Sequence, residues 1–466
     1  MEQYQVIVIG GGPGGYEAAI RLSQYNIKCL LIEKERLGGV CLNWGCIPTK
    51  TLVKSAELVR EIKETELFGL PETPLQIDYG KIFERKNKIV EQLVGGIEFL
   101  YRKRKIPVVQ ATVTEISGTM GSYEVKTSDG ASYGAKYIII ATGSSAKSLP
   151  GIAIDEQDIL SSTGILKLDK LPHSLAVVGG GVIGCEFASI FATFGVQVSI
   201  VEFLPRLVAL EDEEISKRLA LALKKEGIKV LVNTGVESIE KQDSELVLKL
   251  NNGNELRAEK VLLSVGRTPA FSIRTTGFEI STERGAIVID DLMRSSQEGI
   301  YAIGDVTAKL QLAHTASKQG LLVVEHIAHL ENGSPAPRHR LEYINIPRCT
   351  FTYPEIGSVG YTEAEAKEKF TEIKIGKFPF SASGKAMAMS ATQGFVKTIA
   401  RKDTGAIVGM HIMGPQAAEL IAQGAIMISS NMTAESIEDI VFAHPTLSEA
   451  IMESVEDLRE LSIHKI

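Results

Sequence analysis

The sequence lacks the features that would assign it to a membrane, to nucleic acid or to a disulfide-rich secreted fold. No apolar run approaches the ~20 residues that a membrane-spanning helix needs. The net charge is -7 and basic residues form no block, which argues against binding to nucleic acid or to an anionic membrane. Five cysteines in 466 residues are too few for a disulfide framework. Since no signal peptide precedes the first apolar strand, we expect a cytoplasmic protein, or an organelle matrix protein whose presequence has been removed.

One βαβ pattern occurs twice in the chain. Residues 6–35 and 175–204 each read as an apolar strand, a glycine turn, an amphipathic helix, a second apolar strand and a Glu. The matching positions are Gly10, Gly12, Gly15 and Glu33 in the first copy and Gly179, Gly181, Gly184 and Glu202 in the second. Such a unit requires a parallel sheet with helical crossovers, so we predict an α/β fold with two Rossmann-like domains.

Each glycine turn has the chemistry of a dinucleotide site. The turn brings a pyrophosphate to the N-terminus of a helix, and the acid after the second strand accepts hydrogen bonds from ribose hydroxyls. One glycine motif alone would be weak evidence, but two copies with the acid at the same interval indicate a bound flavin and a diffusible nicotinamide. Glu202 would repel the 2′-phosphate of NADP and so favours NAD, whereas Arg206, four residues on, keeps NADP open.

Three further apolar runs, at 137–141, 260–265 and 299–303, read as buried parallel strands. They end at Thr142-Gly143, Gly266-Arg267 and Gly304-Asp305, as expected of strands whose carboxyl ends line a ligand crevice. Beyond a linker at 332–340 the pattern changes. The C-terminal part shows alternating strands at 395–401 and 407–412 and helices near 417–428 and 446–458. This change predicts a separate α+β domain.

Cys41 and Cys46 are the closely spaced cysteines of the chain. Pro48 and the apolar residues that follow at helical spacing predict a helix that begins near Cys46. Residues five apart in a regular helix are too distant for a disulfide, so Gly45 would have to break the helix if the two are to pair. A helix N-terminus and Lys50 would lower the pKa of the Cys46 thiol. Two buried free cysteines are the common alternative, and the preceding flavin-type unit favours a redox pair.

Two acidic positions and one histidine have both a structural and a catalytic interpretation. We expect Glu186 in the first turn of the second-copy helix, where it could simply complement the helix dipole, as could Glu17 in the first copy. His444 precedes Pro445, which can open a helix, and Glu449 can fold back towards the imidazole. A His oriented by a carboxylate suits general acid–base catalysis, although such a pair is more often structural.

Taken together, these segments resemble the class I pyridine nucleotide-disulfide oxidoreductases over essentially the whole chain. The matching motifs are GGGPGG at 10–15, GGVCLNWGCIPTK at 38–50, ATG at 141–143, GGGVIGCE at 179–186, VGRTP at 265–269, AIGD at 302–305 and AHPTLSE at 443–449. The resemblance implies FAD and NAD as cofactors. It also implies oxidation of protein-bound dihydrolipoamide to lipoamide with reduction of NAD to NADH.

The resemblance implies a set of site residues. The implied catalytic residues are Cys41, Cys46, Lys50, Glu186, His444 and Glu449. The implied FAD-binding residues are Gly10, Gly12, Gly14, Gly15, Glu33, Lys50, Thr142, Gly143 and Asp305. The implied NAD-binding residues are Gly179, Gly181, Gly184, Glu202 and Gly266. No residue is assigned to a metal.

The resemblance also implies roles for these residues. Cys46 would lie against the flavin, and Cys41 would exchange with the substrate. Lys50 and Glu186 would flank the reactive edge of the isoalloxazine, and Asp305 would hold the ribityl chain.

The resemblance implies a homodimer in which His444, oriented by Glu449, is donated to Cys41 of the partner subunit. The implied macromolecular partners are lipoyl domains of 2-oxo acid dehydrogenase complexes or the H protein of glycine cleavage. The predicted domains are the first part of the FAD-binding domain at 1–147, the NAD-binding domain at 148–272, the second part of the FAD-binding or central domain at 273–340, and an α+β dimerisation domain at 341–466.

Four other functions fit the sequence less well. Glutathione reductase shares the architecture, but members that use NADPH usually carry a basic residue near the position of Glu202. Mercuric reductase has a pair of tail cysteines, and residues 451–466 contain none. A soluble transhydrogenase lacks the paired cysteines. A non-catalytic FAD-binding protein would need neither the Cys pair nor His444.

Overall fold

The computed structural model describes residues 1–72, 74–243, 245–337 and 340–465. The chain forms two compact units. Unit 1 comprises residues 1–51, 81–147 and 266–341, and unit 2 comprises residues 52–80, 148–265 and 342–466. The four predicted domain ranges are a different division of the chain, and they stay predictions.

The secondary structure elements are numbered in chain order. The strands are β1 Glu2–Ile9, β2 Cys29–Glu33, β3 Val108–Gln110, β4 Val113–Ser117, β5 Tyr123–Thr127, β6 Ser132–Ile140, β7 Ser144–Ala146, β8 Ile159–Leu160, β9 Ser174–Val178, β10 Gln197–Val201, β11 Lys229–Leu231, β12 Val236–Gln242, β13 Glu245–Leu250, β14 Glu255–Ala258, β15 Lys260–Leu263, β16 Arg267–Pro269, β17 Arg274–Thr276, β18 Thr282–Glu283, β19 Ala286–Ile287, β20 Ile300–Ala302, β21 Arg348–Thr350, β22 Glu355–Gly360, β23 Ile373–Pro379, β24 Phe395–Arg401 and β25 Ile407–Gly414. The α-helices are α1 Pro13–Gln24, α2 Gly39–Trp44, α3 Cys46–Lys63, α4 Tyr79–Arg104, α5 Val182–Thr193, α6 Glu213–Lys225, α7 Ala313–Asn332, α8 Glu363–Lys369, α9 Gly384–Ala388, α10 Ala417–Ser429, α11 Ala434–Glu438 and α12 Glu449–Glu456. Short 3₁₀ turns lie at Thr65–Phe68, Ile165–Lys167, Gly304–Thr307, Tyr343–Asn345, Phe380–Ala382 and Asp457–Arg459.

Unit 1 is built on a sheet with the strand order β17-β4-β5-β6-β1-β2-β3, and β20 pairs with β6. Strands β1, β2, β3, β6 and β20 are parallel, whereas β5 joins β6 antiparallel. Residues 6–9 are buried, as expected for a parallel strand covered on both faces. Ile9 pairs with Ile140, and Ile140 pairs with Ala302. The loops that follow these three strands therefore begin side by side.

Helices α1 and α7 of unit 1 pack against each other through glycine. A Cβ atom added to Gly14 would meet the carbonyl oxygen of Ala316 at 2.8 Å, and one added to Gly320 would meet the carbonyl oxygen of Gly14 at 2.7 Å. No larger residue fits at either position. The two glycines therefore allow the start of α1, which follows the first glycine turn, to pack closely against α7.

Unit 2 contains a parallel sheet in the order β11-β10-β9-β15-β8 and a small antiparallel sheet in the order β12-β13-β14. Its C-terminal part is an antiparallel sheet in the order β21-β22-β25-β24-β23, packed with α10 and α12. Buried residues from that sheet and from both helices form one hydrophobic core, which includes Phe380, Ile412, Leu420 and Ile451. The C-terminal segment is thus α+β, as its sequence pattern predicts.

The runs at 137–141, 260–265 and 299–303 are strands β6, β15 and β20, and helix α10 matches the prediction at 417–428. The predicted helix at 446–458 is partly wrong, because α12 begins only at Glu449. The Thr446 hydroxyl donates to the carbonyl of Ala443 at 2.8 Å, and the Thr446 amide donates to Glu449 at 2.8 Å. These local bonds replace helical ones after Pro445, which therefore does not open the helix.

Two further predictions concern the linker at 332–340 and membrane-spanning helices. Residues 333–337 of the linker have no regular secondary structure, and positions 338 and 339 lie outside the described residues. Within the described ranges, helices of sufficient length and apolar character to span a membrane are absent.

Candidate active site

The first glycine turn accepts only glycine at two of its positions. Gly10 has a φ of +105°, and a Cβ atom there would meet the carbonyl oxygen of Ala141 at 2.3 Å. A Cβ atom on Gly15 would meet the carbonyl oxygen of Gly10 at 1.9 Å. Gly12 precedes α1 and has no heavy atom within 4 Å of its would-be Cβ atom. The turn thus leaves open space at the N-terminus of α1, where a pyrophosphate binds favourably.

Glu33 lies at the end of β2 and is fixed beside this turn. Its carboxylate accepts the amide of Gly11 at 2.6 Å and the amide of Glu35 at 2.7 Å. A carboxylate has about four acceptor positions, so each oxygen retains capacity for a ribose hydroxyl. The open turn and the fixed acid fit the adenosine half of FAD.

The loops after β6 and β20 supply further polar groups in unit 1. The buried hydroxyl of Thr142 has no hydrogen-bond partner within the part of the chain that the structure describes. Gly143 adopts a φ of +72° directly after it. The hydroxyl of Ser144 donates to the carboxylate of Asp305 at 2.5 Å. A buried hydroxyl of this kind requires a partner, which is a second observation that the residues fit a bound flavin nucleotide.

Arg267 joins this cluster, and the sequence interpretation missed it. Its guanidinium donates to the hydroxyl and the carbonyl of Ser144, both at 2.7 Å, and lies 3.8 Å from Asp305. Burial lowers the pKa of Arg267, while the nearby Asp305 and Cys46 act in the opposite direction. Arg267 belongs to the motif VGRTP, which could have indicated it as a site residue. From that motif only Gly266, which has a φ of +114°, is assigned to a site on the sequence alone.

The two cysteines lie at a break between helices. Helix α2 ends at Trp44, α3 begins at Cys46, and Gly45 between them has a φ of -144° and a ψ of -110°. Both cysteines carry thiols outside a disulfide, Cys41 partly buried and Cys46 exposed. The hydrogen bond with Cys46, followed by burial, raises the pKa of the Cys41 thiol. The predicted helix start and the predicted irregularity are therefore both present, and the two thiols lie within hydrogen-bond reach.

Lys50 and Glu186 lie in different units, each near the start of a helix. Lys50 of unit 1 is one turn beyond Cys46 on α3. Glu186 of unit 2 lies just past the first turn of α5, so its predicted place in that turn is wrong, because the helix begins at Val182. The buried Glu186 carboxylate accepts the amide of Phe351 at 2.9 Å. A tertiary contact, more than the helix dipole, accounts for its position.

The second glycine turn, in unit 2, repeats the geometry of the first. Gly179 has a φ of +106°, and its would-be Cβ atom would lie 2.5 Å from the carbonyl oxygen of Ser264. At Gly184 the corresponding distance to the carbonyl oxygen of Gly179 is 2.0 Å, and Gly181 is open. Glu202 accepts the amides of Gly180 at 2.5 Å and of Leu204 at 2.6 Å. These residues fit the adenosine half of NAD as the first set fits FAD.

Arg206, which kept NADP open as a cofactor, is engaged inside its own loop. Its guanidinium donates to the carbonyl of Glu211 at 3.0 Å and to that of Ala209 at 2.7 Å. Glu202 is therefore the charged group beside the glycine turn, which favours the free ribose hydroxyl of NAD.

His444 and Glu449 form the predicted pair in unit 2. The Nδ1 atom of His444 lies 2.8 Å from Oε1 of Glu449, and the imidazole is 79% exposed. Burial opposes the charge on Glu449, but hydrogen bonds from the Thr446 amide and from His444 outweigh it, so the pKa of Glu449 is lowered. An ionised carboxylate on Nδ1 leaves Nε2 open to accept a proton from solvent or substrate.

Comparison with known proteins agrees with this geometry. The family model described as pyridine nucleotide-disulphide oxidoreductase matches residues 4–320, and that of its dimerisation domain matches residues 346–455. The dihydrolipoyl dehydrogenase of Bacillus subtilis is 38% identical over 99% of both chains. That of Corynebacterium glutamicum is 40% identical over 98% of both. The crystal structure of LpdA from Mycobacterium tuberculosis has a TM-score of 0.88 at 24% identity, covering 98% of this chain and 100% of that one. The predicted fold class is confirmed.

Proposed function

Because the chain belongs to the pyridine nucleotide-disulphide oxidoreductase family, we propose that it oxidises protein-bound dihydrolipoamide to lipoamide and reduces NAD to NADH. Family membership confirms the prediction of FAD and NAD as cofactors. The observation that carries the proposal is the hydrogen-bonded pair Cys41 and Cys46 at the break between α2 and α3. Relatives named dihydrolipoyl dehydrogenase, similar over nearly the whole chain, support this choice of substrate.

The proposed chemistry begins with Cys41 and Cys46 as a disulfide. His444 accepts the proton of one substrate thiol, and Glu449 stabilises the imidazolium that results. The substrate thiolate attacks Sγ of Cys41, and Cys46 leaves as a thiolate. The second substrate thiol attacks the substrate sulfur bonded to Cys41, closes the lipoamide ring and passes its proton to the departing Cys41 sulfur. The substrate loses two electrons and two protons, and the two cysteines take up both electrons.

Bound FAD would supply the two-electron chemistry that connects the cysteine pair to NAD. We assign Cys46 to its side, with Lys50 and Glu186 near the reactive edge of the ring system. The residues assigned to holding FAD are Gly10, Gly12, Gly14, Gly15, Glu33, Lys50, Thr142, Gly143 and Asp305. Those assigned to NAD are Gly179, Gly181, Gly184, Glu202 and Gly266.

The chain carries the dimerisation domain of the family and acts as a homodimer. We propose that His444 serves Cys41 of the partner subunit, and its exposed imidazole supports this assignment because it is open to a second chain. The macromolecular substrates would be lipoyl domains of 2-oxo acid dehydrogenase complexes or the H protein of glycine cleavage. Five cysteines in 466 residues form no disulfide framework, as suits a reducing compartment, and we propose that the enzyme works in the cytoplasm.

The proposal is tested by mixing the purified holoenzyme with dihydrolipoamide and NAD and following NADH absorbance. Glutathione disulfide with NADPH serves as the alternative substrate pair, and its turnover is followed as the loss of NADPH absorbance. We expect rapid NADH formation that Cys46→Ser abolishes while the flavin stays bound. Turnover only with glutathione disulfide and NADPH would keep the disulfide chemistry and refute the proposed substrate.

A further inference from the structure

A short segment of unit 2 shapes the wall of the second dinucleotide site. Residues 203–212, here called the ribose loop, connect Glu202 to helix α6. The amide of Val208 donates to the carbonyl of Gly180 at 2.8 Å, so the loop lies across the glycine turn. Leu207 and Val208 are both buried. The loop therefore contacts Gly180 directly and continues from Glu202, so its conformation can affect both residues.

The loop is not relaxed on its own. Val208 has a φ of +39°, a left-handed conformation that β-branched residues rarely adopt. Gly38 is the equivalent residue in unit 1, since its amide donates to the carbonyl of Gly11 at 2.8 Å. Its φ is +92°, and glycine adopts such a value without steric strain. A strained residue persists only where surrounding contacts fix it.

A buried cation fixes the far end of the ribose loop. Nζ of Lys397 lies 2.9 and 3.0 Å from the two carboxylate oxygens of Asp212, and the two side chains are 1% and 2% exposed. Asp212 also caps α6 by accepting the amide of Glu214 at 3.0 Å. Glu363 adds a carboxylate 2.6 Å from Nζ and an amide 3.1 Å from Asp212.

A second cation reaches the neighbouring loop residue. The guanidinium of Arg348 on β21 lies 3.3 Å from the buried carboxylate of Glu211. Both cations come from the C-terminal sheet, whereas both acids close the ribose loop. The loop is thus held between Glu202 at one end and the Lys397–Asp212 pair at the other.

We propose that Lys397 is a positioning residue for NAD, which acts through Asp212 to hold the ribose loop in its binding conformation. The inference rests on the NAD-dependent function proposed above. Lys397 itself touches no part of the glycine turn. Its effect is on the affinity of the second dinucleotide site, and the exchange between substrate and the cysteines is left unchanged.

The test compares Lys397→Met with Lys377→Met in the holoenzyme dimer. Lys377 lies on β23 directly opposite Lys397 and bonds Glu214 at 2.7 Å. The Lys377→Met substitution therefore removes a neighbouring cation and leaves the Lys397–Asp212 contact in place. We expect Lys397→Met to weaken ADP-ribose binding and to raise the KM for NAD roughly tenfold, a usual size for coupling between sites. Amide exchange of residues 203–212 should quicken in the NAD-free enzyme. Lys397→Arg keeps the positive charge and should therefore show smaller changes in ADP-ribose binding, in the KM for NAD and in amide exchange.

Other measurements separate the possible failures. Flavin reduction by dihydrolipoamide without NAD should be the same in both variants, since it does not use the ribose loop. Unchanged exchange and unchanged ADP-ribose binding in Lys397→Met, with only a lower Tm, would overturn the proposal. If Lys397→Met does not fold, Asp212→Asn tests the same contact and keeps an acceptor for the α6 cap. Absence of dihydrolipoamide activity in the unmodified enzyme would refute the proposed function, while ADP-ribose binding would still decide the role of Lys397.

Discussion

The two glycine turns have nearly the same internal geometry and very different surroundings. In unit 1, α7 packs on Gly14, and a Cβ atom added to Gly39 would meet Cα of Gly12 at 2.6 Å. In unit 2, the residues around the corresponding turn include Phe203 and Leu210, which are 72% and 84% exposed. One turn is enclosed by its own unit and the other is bordered by open apolar surface.

We propose that this difference in enclosure separates a retained cofactor from one that is exchanged. The turn itself supplies a helix N-terminus and an acid in both copies, so it contributes similar binding groups to each dinucleotide. Enclosure slows release, because neighbouring elements must move before the ligand can leave. We therefore propose that the same motif holds a retained FAD in unit 1 and an exchangeable NAD in unit 2.

The largest expected effect comes from removing the third glycine of each turn. Gly15→Ala would force a Cβ atom to within 1.9 Å of a carbonyl oxygen, and Gly184→Ala to within 2.0 Å. We expect Gly15→Ala to purify without flavin or not to fold. Gly184→Ala should stay yellow and lose NAD-dependent turnover. Flavin absorbance and NADH formation measure the two outcomes, and a colourless Gly184→Ala protein would contradict the separation of the sites.

A smaller loss is expected at the proposed base, which belongs to neither turn. His444→Gln should lower turnover with dihydrolipoamide by about 10²–10⁴-fold, the usual contribution of general acid–base catalysis. Flavin content and NADH binding should not change, because His444 contacts neither turn. Stopped-flow flavin reduction by dihydrolipoamide, compared with reduction by NADH, makes the distinction. Equal losses in both half-reactions would argue against the assigned role.

The strained residue of the ribose loop predicts an unequal cost of substitution in the two units. Val208→Gly should change the free energy of unfolding by no more than about 1 kcal/mol, because the loss of a buried valine side chain, about 1.5–3 kcal/mol, is offset by relief of the left-handed conformation, about 1–3 kcal/mol. Gly38→Val should destabilise, because its Cβ atom would meet Leu42 at 2.3 Å. Urea unfolding of both variants measures the effect. A loss of more than about 3 kcal/mol in Val208→Gly, the full cost of a deleted buried side chain, would mean that the conformation carries no strain.

The smallest expected effect is on the stability of unit 1 at low pH. Hydrogen bonds from Thr276, then from Arg274, lower the pKa of Glu115 from 4.5 to about 2, and they join β17 to β4. A carboxylate with a depressed pKa stabilises the fold above its unfolded value, and this stability is lost as the pH falls from 4.5 towards 2. Glu115→Gln should therefore be less stable than the unmodified protein at neutral pH, with the difference vanishing in that acidic window. Thermal unfolding at several pH values follows it, and a constant difference would exclude this origin.

Local features of the site could be predicted from the sequence. The glycine turns, their acids, the helix start at Cys46 and the contact of His444 with Glu449 depend on residues close along the chain. Their spacing therefore carries the information. The residue roles and the domain boundaries remain predictions.

Contacts between distant segments could not be predicted. Glu186 bonds the amide of Phe351, and Lys397 bonds Asp212, across 165 and 185 positions. No periodicity or motif records such pairings, because the fold creates them. The failed helix start after Pro445 has a different cause, because local hydrogen bonds of Thr446 with Ala443 and with the Glu449 side chain compete with the helix there.

The engagement of Arg206 inside its loop has a consequence for engineering cofactor preference. Replacing Glu202 would remove the repulsion of a 2′-phosphate and release the amides of Gly180 and Leu204, which could then donate to that phosphate. The guanidinium four residues away would not follow, because two carbonyl oxygens hold it. A redesign for NADP therefore needs a new cation in addition to the loss of the acid, and the existing arginine is best left where it supports the loop.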